Sequence, residues 1–149
     1  MTCCFFGHRD TPATIQTDLF DCVSSLVEKD NVDTFLVGNH GSFDAMAVSI
    51  LRAVEVQHPH ISHNVVLAYM PTAKDLSEEK TLYPEGLELV PKRFAISRRN
   101  EWMIEQSDIV VCYVQHSFGN SSKFVEKAMA MGKRVINLAD SHPVWRNTN

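Results

Sequence analysis

Three short segments rich in glycine and polar residues hold most of the side chains able to do chemistry in this sequence. They are Gly7-His8-Arg9, then Gly38-Asn39-His40-Gly41-Ser42 with Asp44 just beyond, then Phe118-Gly119-Asn120-Ser121-Ser122. The second and third place small residues directly ahead of stretches with helical periodicity. A helix N-terminus there presents unpaired N–H groups and a positive dipole end, and missing side chains let an anion approach. A fourth segment, Arg98-Arg99-Asn100, adds guanidinium forks that match phosphate oxygens two at a time. All of these residues except His40, Arg98 and Phe118 are candidate ligand-binding residues, and Arg9 and Arg99 are expected to converge on one anion. Taken singly, each segment reads equally well as a tight turn or a solvated face. Their joint placement on one rim is what points to a site.

A second kind of chemistry needs carboxylates. Cleavage of an N-glycosidic bond calls for paired acids, and Asp44 and Glu126 are the candidate catalytic residues for it. Cofactor motifs are missing. A dinucleotide site wants G-x-G-x-x-G after the first strand, whereas Gly7-His8-Arg9-Asp10 offers a cationic pair and no further glycine. No Walker-A string occurs, so neither a dinucleotide nor a P-loop nucleotide is expected as cofactor. Cys3, Cys4, Cys22 and Cys112 make no C-x-x-C pair, so they read as buried thiols in a reducing compartment rather than as zinc ligands. No metal site is expected.

The elements that must position these groups follow from hydrophobic pattern. The chain has 149 residues, 44% hydrophobic and 21% charged, within the range for one domain with a real core. Short apolar runs at 2–6, 34–37, 65–70, 109–114 and 134–138 alternate with stretches of helical spacing. Runs apolar on both faces between helices predict a parallel sheet covered on both sides. The expected fold is therefore α/β, a Rossmann-like doubly wound five-stranded parallel sheet in the order 3-2-1-4-5. Residues 1–138 form one nucleotide-binding domain and 139–149 a C-terminal tail. In such sheets ligands sit beyond the carboxyl ends of the strands, where strand order reverses. Ser42 is expected to cap the second helix, and Ser121 or Ser122 the last. The prolines and charges of 71–92 predict a mobile loop or a lid. Phe94, Trp102 and Met103 give one helix more apolar surface than one sheet contact needs, so a homo-oligomer is expected. No secretion signal or membrane-length apolar run occurs, and a cytoplasmic location is expected.

At this point the motifs resemble a known family. Cys3-Cys4-Phe5-Phe6-Gly7-His8-Arg9 is similar to the C-C-F-T-G-H-R-P opening of a bacterial family within the SLOG superfamily. That superfamily also holds the Lonely Guy nucleotide hydrolases and the core of DNA-processing protein A. The Gly38–Asp44 turn, Arg99-Asn100 with Met103, and Gly119-Asn120-Ser121 leading to Gly132-Lys133 resemble further family segments in order, from residue 3 to about 138. The resemblance implies a Rossmann-like fold with a nucleotide pocket at those turns. Phe6 replaces the family's threonine. The Lonely Guy glutamate lies three places beyond its G-T, whereas Glu126 falls one or two places late, about 100° or more around a helix.

Three functions follow, in order. The first is binding or sensing of a nucleotide-like, phosphate-bearing small molecule. The second is an N-glycoside hydrolase or transferase on nucleoside monophosphates. The third, single-stranded nucleic-acid binding, stands last: the formal charge is −4, the local basic cluster of Lys92, Arg93, Arg98 and Arg99 reads as a solvated face, and only Tyr83 and Trp102 suggest exposed stacking surfaces. Nucleic acid and membranes are therefore not expected as partners.

Overall fold

In the computed structural model, which describes residues 1–78, 80–115 and 120–140, six strands lie in one sheet in the order β4-β3-β2-β1-β5-β6. β1 is Thr2–Gly7, β2 Thr34–Val37, β3 Ser62–Val66, β4 Thr81–Leu82, β5 Ile109–Tyr113 and β6 Arg134–Asn137. Every pairing is parallel. The expectation of five strands is corrected to six. The five expected runs keep their mutual order, although the third strand is Ser62–Val66 rather than 65–70, because its pairing with β2 begins at Ser62 opposite Thr34. The extra strand is two residues from the 71–92 stretch, added at the edge. Backbone bonds from Val65 N to Lys80 O (2.9 Å) and from Leu67 N to Leu82 O (2.8 Å) hold it there. So brief a strand carries no period of its own, which is why pattern could not find it.

The sheet is sorted by alternation. Cys3, Phe5, Phe35, Val37, Ile109 and Val111 face one core, sealed by Leu19, Val23 and Leu26 of α1 (Gln16–Lys29) and by Phe43, Ala47 and Leu51 of α2 (Ser42–Gln57). Cys4, Phe6, Leu36, Val110 and Cys112 face the other. That side is covered by Met103 and Ile104 of α4 (Ala95–Gln106) and Ala128 of α5 (Asn120–Ala130). Adjacent Cys3 and Cys4 thus enter opposite layers, as a period of two requires. All four thiols are free and buried, and burial pushes those of Cys4, Cys22 and Cys112 up to about 12. No helix among the described residues is long and apolar enough to cross a membrane.

The 71–92 stretch holds a short helix α3 (Ala73–Glu78), β4 at the sheet edge, and a turn that buries Leu87. One further expectation is revised. The apolar surplus proposed for α4 is mostly internal. Met103 is 1% exposed, Trp102 packs against the second core, and only Phe94 stays open at 50%. The surface argument for a homo-oligomer thereby loses its basis. Of the expected tail, 141–149 lies outside the described residues.

Strand order reverses at β1, whose neighbours β2 and β5 lead in opposite directions across the sheet. The carboxyl ends of β1 and β5 therefore bound a crevice, the usual place for a ligand in such sheets.

Candidate functional site

The first loop is closed by its own residues. Thr11 Oγ1 donates to the carbonyl of His8 at 2.7 Å, fixing the turn after β1. Phe43 packs so tightly on the strand end that a Cβ on Gly7 would sit 2.2 Å from its ring. Gly7 is thus small to admit a neighbouring side chain. His8 spans the crevice floor, its Nε2 accepting from Gln115 N at 3.0 Å and its ring meeting Tyr113 edge-on.

The second turn is docked onto the first. Gly41 has φ of +92° and a Cβ there would meet the Arg9 backbone at 2.8 Å, so only glycine fits. Ser42 N donates to Arg9 O at 2.8 Å, and Ser42 Oγ donates to Thr11 O at 3.2 Å. Ser42 is therefore not the cap of α2. Gly41 holds that position, and the serine hydroxyl serves the inter-turn contact instead. Asp44 reaches back to accept from His40 N at 3.0 Å, so the acid that could have faced a ligand is satisfying the helix start.

Arg99 sits beneath this turn at 2% exposure. Its Nε donates to Asn100 Oδ1 at 2.8 Å. One Nη donates to Val66 O at 2.9 Å and to Asn39 Oδ1 at 3.2 Å, and the other lies 3.3 Å from His40 Nδ1. Four of the five guanidinium N–H groups are thereby engaged. Burial, then Arg99 and Arg9, hold His40 below its ordinary value, which leaves Nδ1 a lone pair able to accept. Gly38 makes room for the assembly: a Cβ there would lie 2.8 Å from Asp44 Oδ2 and 2.9 Å from Arg99 Cζ. Desolvation raises Asp44 to about 6, outweighing the His40 N–H and the nearby Arg99.

Arg99 is a buried residue that lines the same crevice as Arg9, but most of its donors are already spent within the fold. The spacing Ala95, Arg99, Met103 puts Arg99 on the buried stripe of α4. That stripe was visible in the sequence, and the arginine's charge concealed it.

What remains open forms the crevice, a cavity of about 540 Å³. Its polar walls include Arg9, Asp10, His40, Arg93, Ser97, Arg99, Asn100 and Ser121, and its apolar part is Phe6, Ile96 and Phe124. The Phe6 and Phe124 rings stack at 5.7 Å. Among the described residues, no side chain or carbonyl hydrogen-bonds the Arg9 guanidinium, and Arg93 lies only over the Phe94 ring, at 4.8 Å. Arg93 belongs to the basic cluster of Lys92, Arg93, Arg98 and Arg99, which reads in the sequence as a solvated face, and Ile96 carries no signal there. Gly38, Asn39, Gly41 and Asp44 border instead a second cavity of about 550 Å³ with Arg52, Lys74 and Thr81. Asp44 touches both. Ser121 and Ser122 lie inside the first turn of α5 rather than capping it, Ser122 buried. Gly119, His116 and the side chain of Asn120 lie outside the described residues. The two carboxylates do not meet: Glu126 is exposed on α5 and is not among the described residues lining the crevice. No group of acid, histidine and thiol side chains able to hold a metal occurs among the described residues.

The rim beside the crevice is aromatic and basic. Tyr69 is 38% and Phe94 50% exposed, with Lys92 Nζ 5.7 Å from the Tyr69 ring centre. Tyr83 and Trp102, expected to be the open rings, are packed against the two cores.

No protein-family model matches the chain, and no curated protein resembles it in sequence. Solved structures do. DNA processing protein A from Streptococcus pneumoniae superposes with a TM-score of 0.65 at 16% identity, over 90% of this chain and 48% of that one. DNA processing protein A from Helicobacter pylori, described for its single-stranded DNA binding mode, gives 0.63 at 13% identity, over 91% and 63%. This chain spans less than two thirds of either. The likeness is one of fold, a Rossmann-like α/β sheet. It also overturns the exclusion of nucleic acid: a protein on this fold has a single-stranded DNA binding mode, and a net charge of −4 does not describe the local rim.

Proposed function

We propose that the crevice at the ends of β1 and β5 binds a nucleotide unit of single-stranded nucleic acid. Its phosphate lies against Arg9 and Arg93, and its base or sugar against Phe124 and Ile96. The observation that carries this reading is the composition of one cavity: two cations not spent on carboxylates among the described residues, facing a stacked aromatic pair. Backbone-tracking cations beside π-faces are the usual means of holding a single strand without sequence preference. Support also comes from the single-stranded DNA binding mode of the H. pylori neighbour and from the resemblance of Cys3–Arg9 to the SLOG opening.

A second reading keeps the crevice as a pocket for a free nucleoside monophosphate, favoured by a volume inside the usual small-ligand range. Fluorescence anisotropy with labelled oligothymidylates of increasing length separates the two. Affinity that climbs with length and falls with salt supports the strand. Affinity that is saturated by a mononucleotide supports the pocket. Absence of binding to both, at low salt, refutes the site.

A further inference from the structure

We infer that Tyr69 is a second base platform, taking the base next to the nucleotide held in the crevice, with Lys92 meeting the phosphate between them. The inference rests on the strand reading above and deepens it.

Three observations carry it. Tyr69 leaves 38% of its surface open, although the segment after β3 could have turned it inward as it does Leu67 and Ala68, both 2% exposed. The ring also adjoins the crevice directly. His40, which lines the crevice, meets Tyr69 edge-on at 6.0 Å between centroids, so one imidazole separates the two surfaces. Finally, cations flank both sides of this boundary. Lys92 stands 5.7 Å from the Tyr69 ring centre, and its chain neighbour Arg93 lines the crevice.

An exposed tyrosine under a lysine is by itself an ordinary surface pair of modest worth. Position separates this one from the ordinary case. A ring and a cation that extend a cation-and-aromatic crevice by one step have the alternation that successive nucleotides require. His40 between them gives the backbone a corner to turn, because its Nδ1 is committed to Arg99 and its ring is held in place.

The test uses the whole chain and four variants, Tyr69→Ala, Tyr69→Trp, Lys92→Ala and Arg9→Ala, with oligothymidylate, oligouridylate and thymidine monophosphate as probes. Tyr69→Ala is expected to weaken oligonucleotide binding about tenfold or more, the weight of one stacked base. Tyr69→Trp should restore it, and thymidine monophosphate should bind both as it binds the wild type. An oligonucleotide carrying 5-iododeoxyuridine should crosslink to Tyr69 on irradiation. If Arg9→Ala weakens the oligonucleotide while Tyr69→Ala and Lys92→Ala bind as wild type, the platform is wrong and the crevice stands. If the wild type binds no oligonucleotide, the strand reading fails and the platform fails with it. The ratio of oligothymidylate to oligouridylate affinity tells DNA from RNA.

Discussion

Arg99 and Arg9 stand at the same rim of the sheet, one sealed at 2% exposure beneath the Gly38–Ser42 turn, the other exposed on the crevice wall. Around Arg99, three side chains and the Val66 carbonyl consume four of five donors. Around Arg9, its backbone carbonyl holds Ser42 while its guanidinium is left to the crevice. The difference teaches that a cation's residue type says little about its role. What separates a bolt from a ligand contact is how many of its donors the fold has already used. The buried cluster joins α4, β3 and the β2–α2 turn, and so sets the rim on which the open wall is presented.

The comparison breaks most visibly if Arg99 is removed. Arg99→Ala should destabilise the fold by about 3–5 kcal/mol, the range for leaving buried polar partners uncompensated. Gly38→Ala should fail in the same sense, because its Cβ would press on both Asp44 and Arg99. Urea unfolding checks both, and an unchanged midpoint would show that the cluster is not the bolt described.

Asp44 sharpens the same side of the comparison. Its carboxyl titrates near 6 in the fold against an ordinary 3.8. A group raised in this way favours the fold most below the lower value, and that contribution is lost as pH rises through about 6. At pH 8 the ionised, buried acid therefore costs the fold about 3 kcal/mol relative to acid pH. The raised value already includes the pull of Arg99. Asp44→Asn keeps an oxygen for His40 N and removes the charge. It should gain stability over the wild type above pH 6, by up to about 3 kcal/mol, and lose that advantage below pH 4. A difference between the two proteins that is flat with pH would contradict the burial argument.

The open wall is tested by Arg9→Ala and Arg93→Ala. Each should weaken oligothymidylate binding by about 1.5–3 kcal/mol, the range for hydrogen bonds to charged groups, and reduce the salt dependence. Stability should change by no more than about 0.5 kcal/mol, as for surface sites away from special features. Loss of stability without loss of binding would reverse the roles assigned to the two regions.

Much of this molecule was legible in its residues. The strands at 2–6 and 109–114 and the helices between them announced themselves by period, and topology then dictated where to look. The rim was found because glycine turns interrupt those periods. Ser42 misled because a serine ahead of a helix pattern fits a cap, and only the packing of two loops reveals that its hydroxyl bonds Thr11 O. Arg99 misled because charge outweighed spacing in the reading of α4. Arg93 was legible only as a member of the basic cluster of Lys92, Arg93, Arg98 and Arg99, and Tyr69 only as part of the apolar run 65–70; both gain their meaning from neighbours distant in the chain. Net charge misled most, being a sum over faces that a ligand never meets together.

The smallest effect expected is at Glu126. Its candidacy came from the demand of glycoside chemistry for two carboxylates, with Asp44 as the other. In the fold Asp44 is buried, already accepts from His40 N, and touches the crevice, while Glu126 is exposed on α5 and is not among the described residues that line it. On a helix, a shift of one position turns a side chain by about 100°, so Glu126 does not stand on the face where the glutamate of the Lonely Guy pattern would lie. Glu126→Gln should therefore change neither oligonucleotide affinity nor stability by more than about 0.5 kcal/mol. The same variant reports on the hydrolase reading. If the wild type released a free base from nucleoside monophosphates and Glu126→Gln abolished that release, the acid would have to swing into the crevice when ligand binds. The contrast between an occupied hub and an open wall would then need a third, moving part.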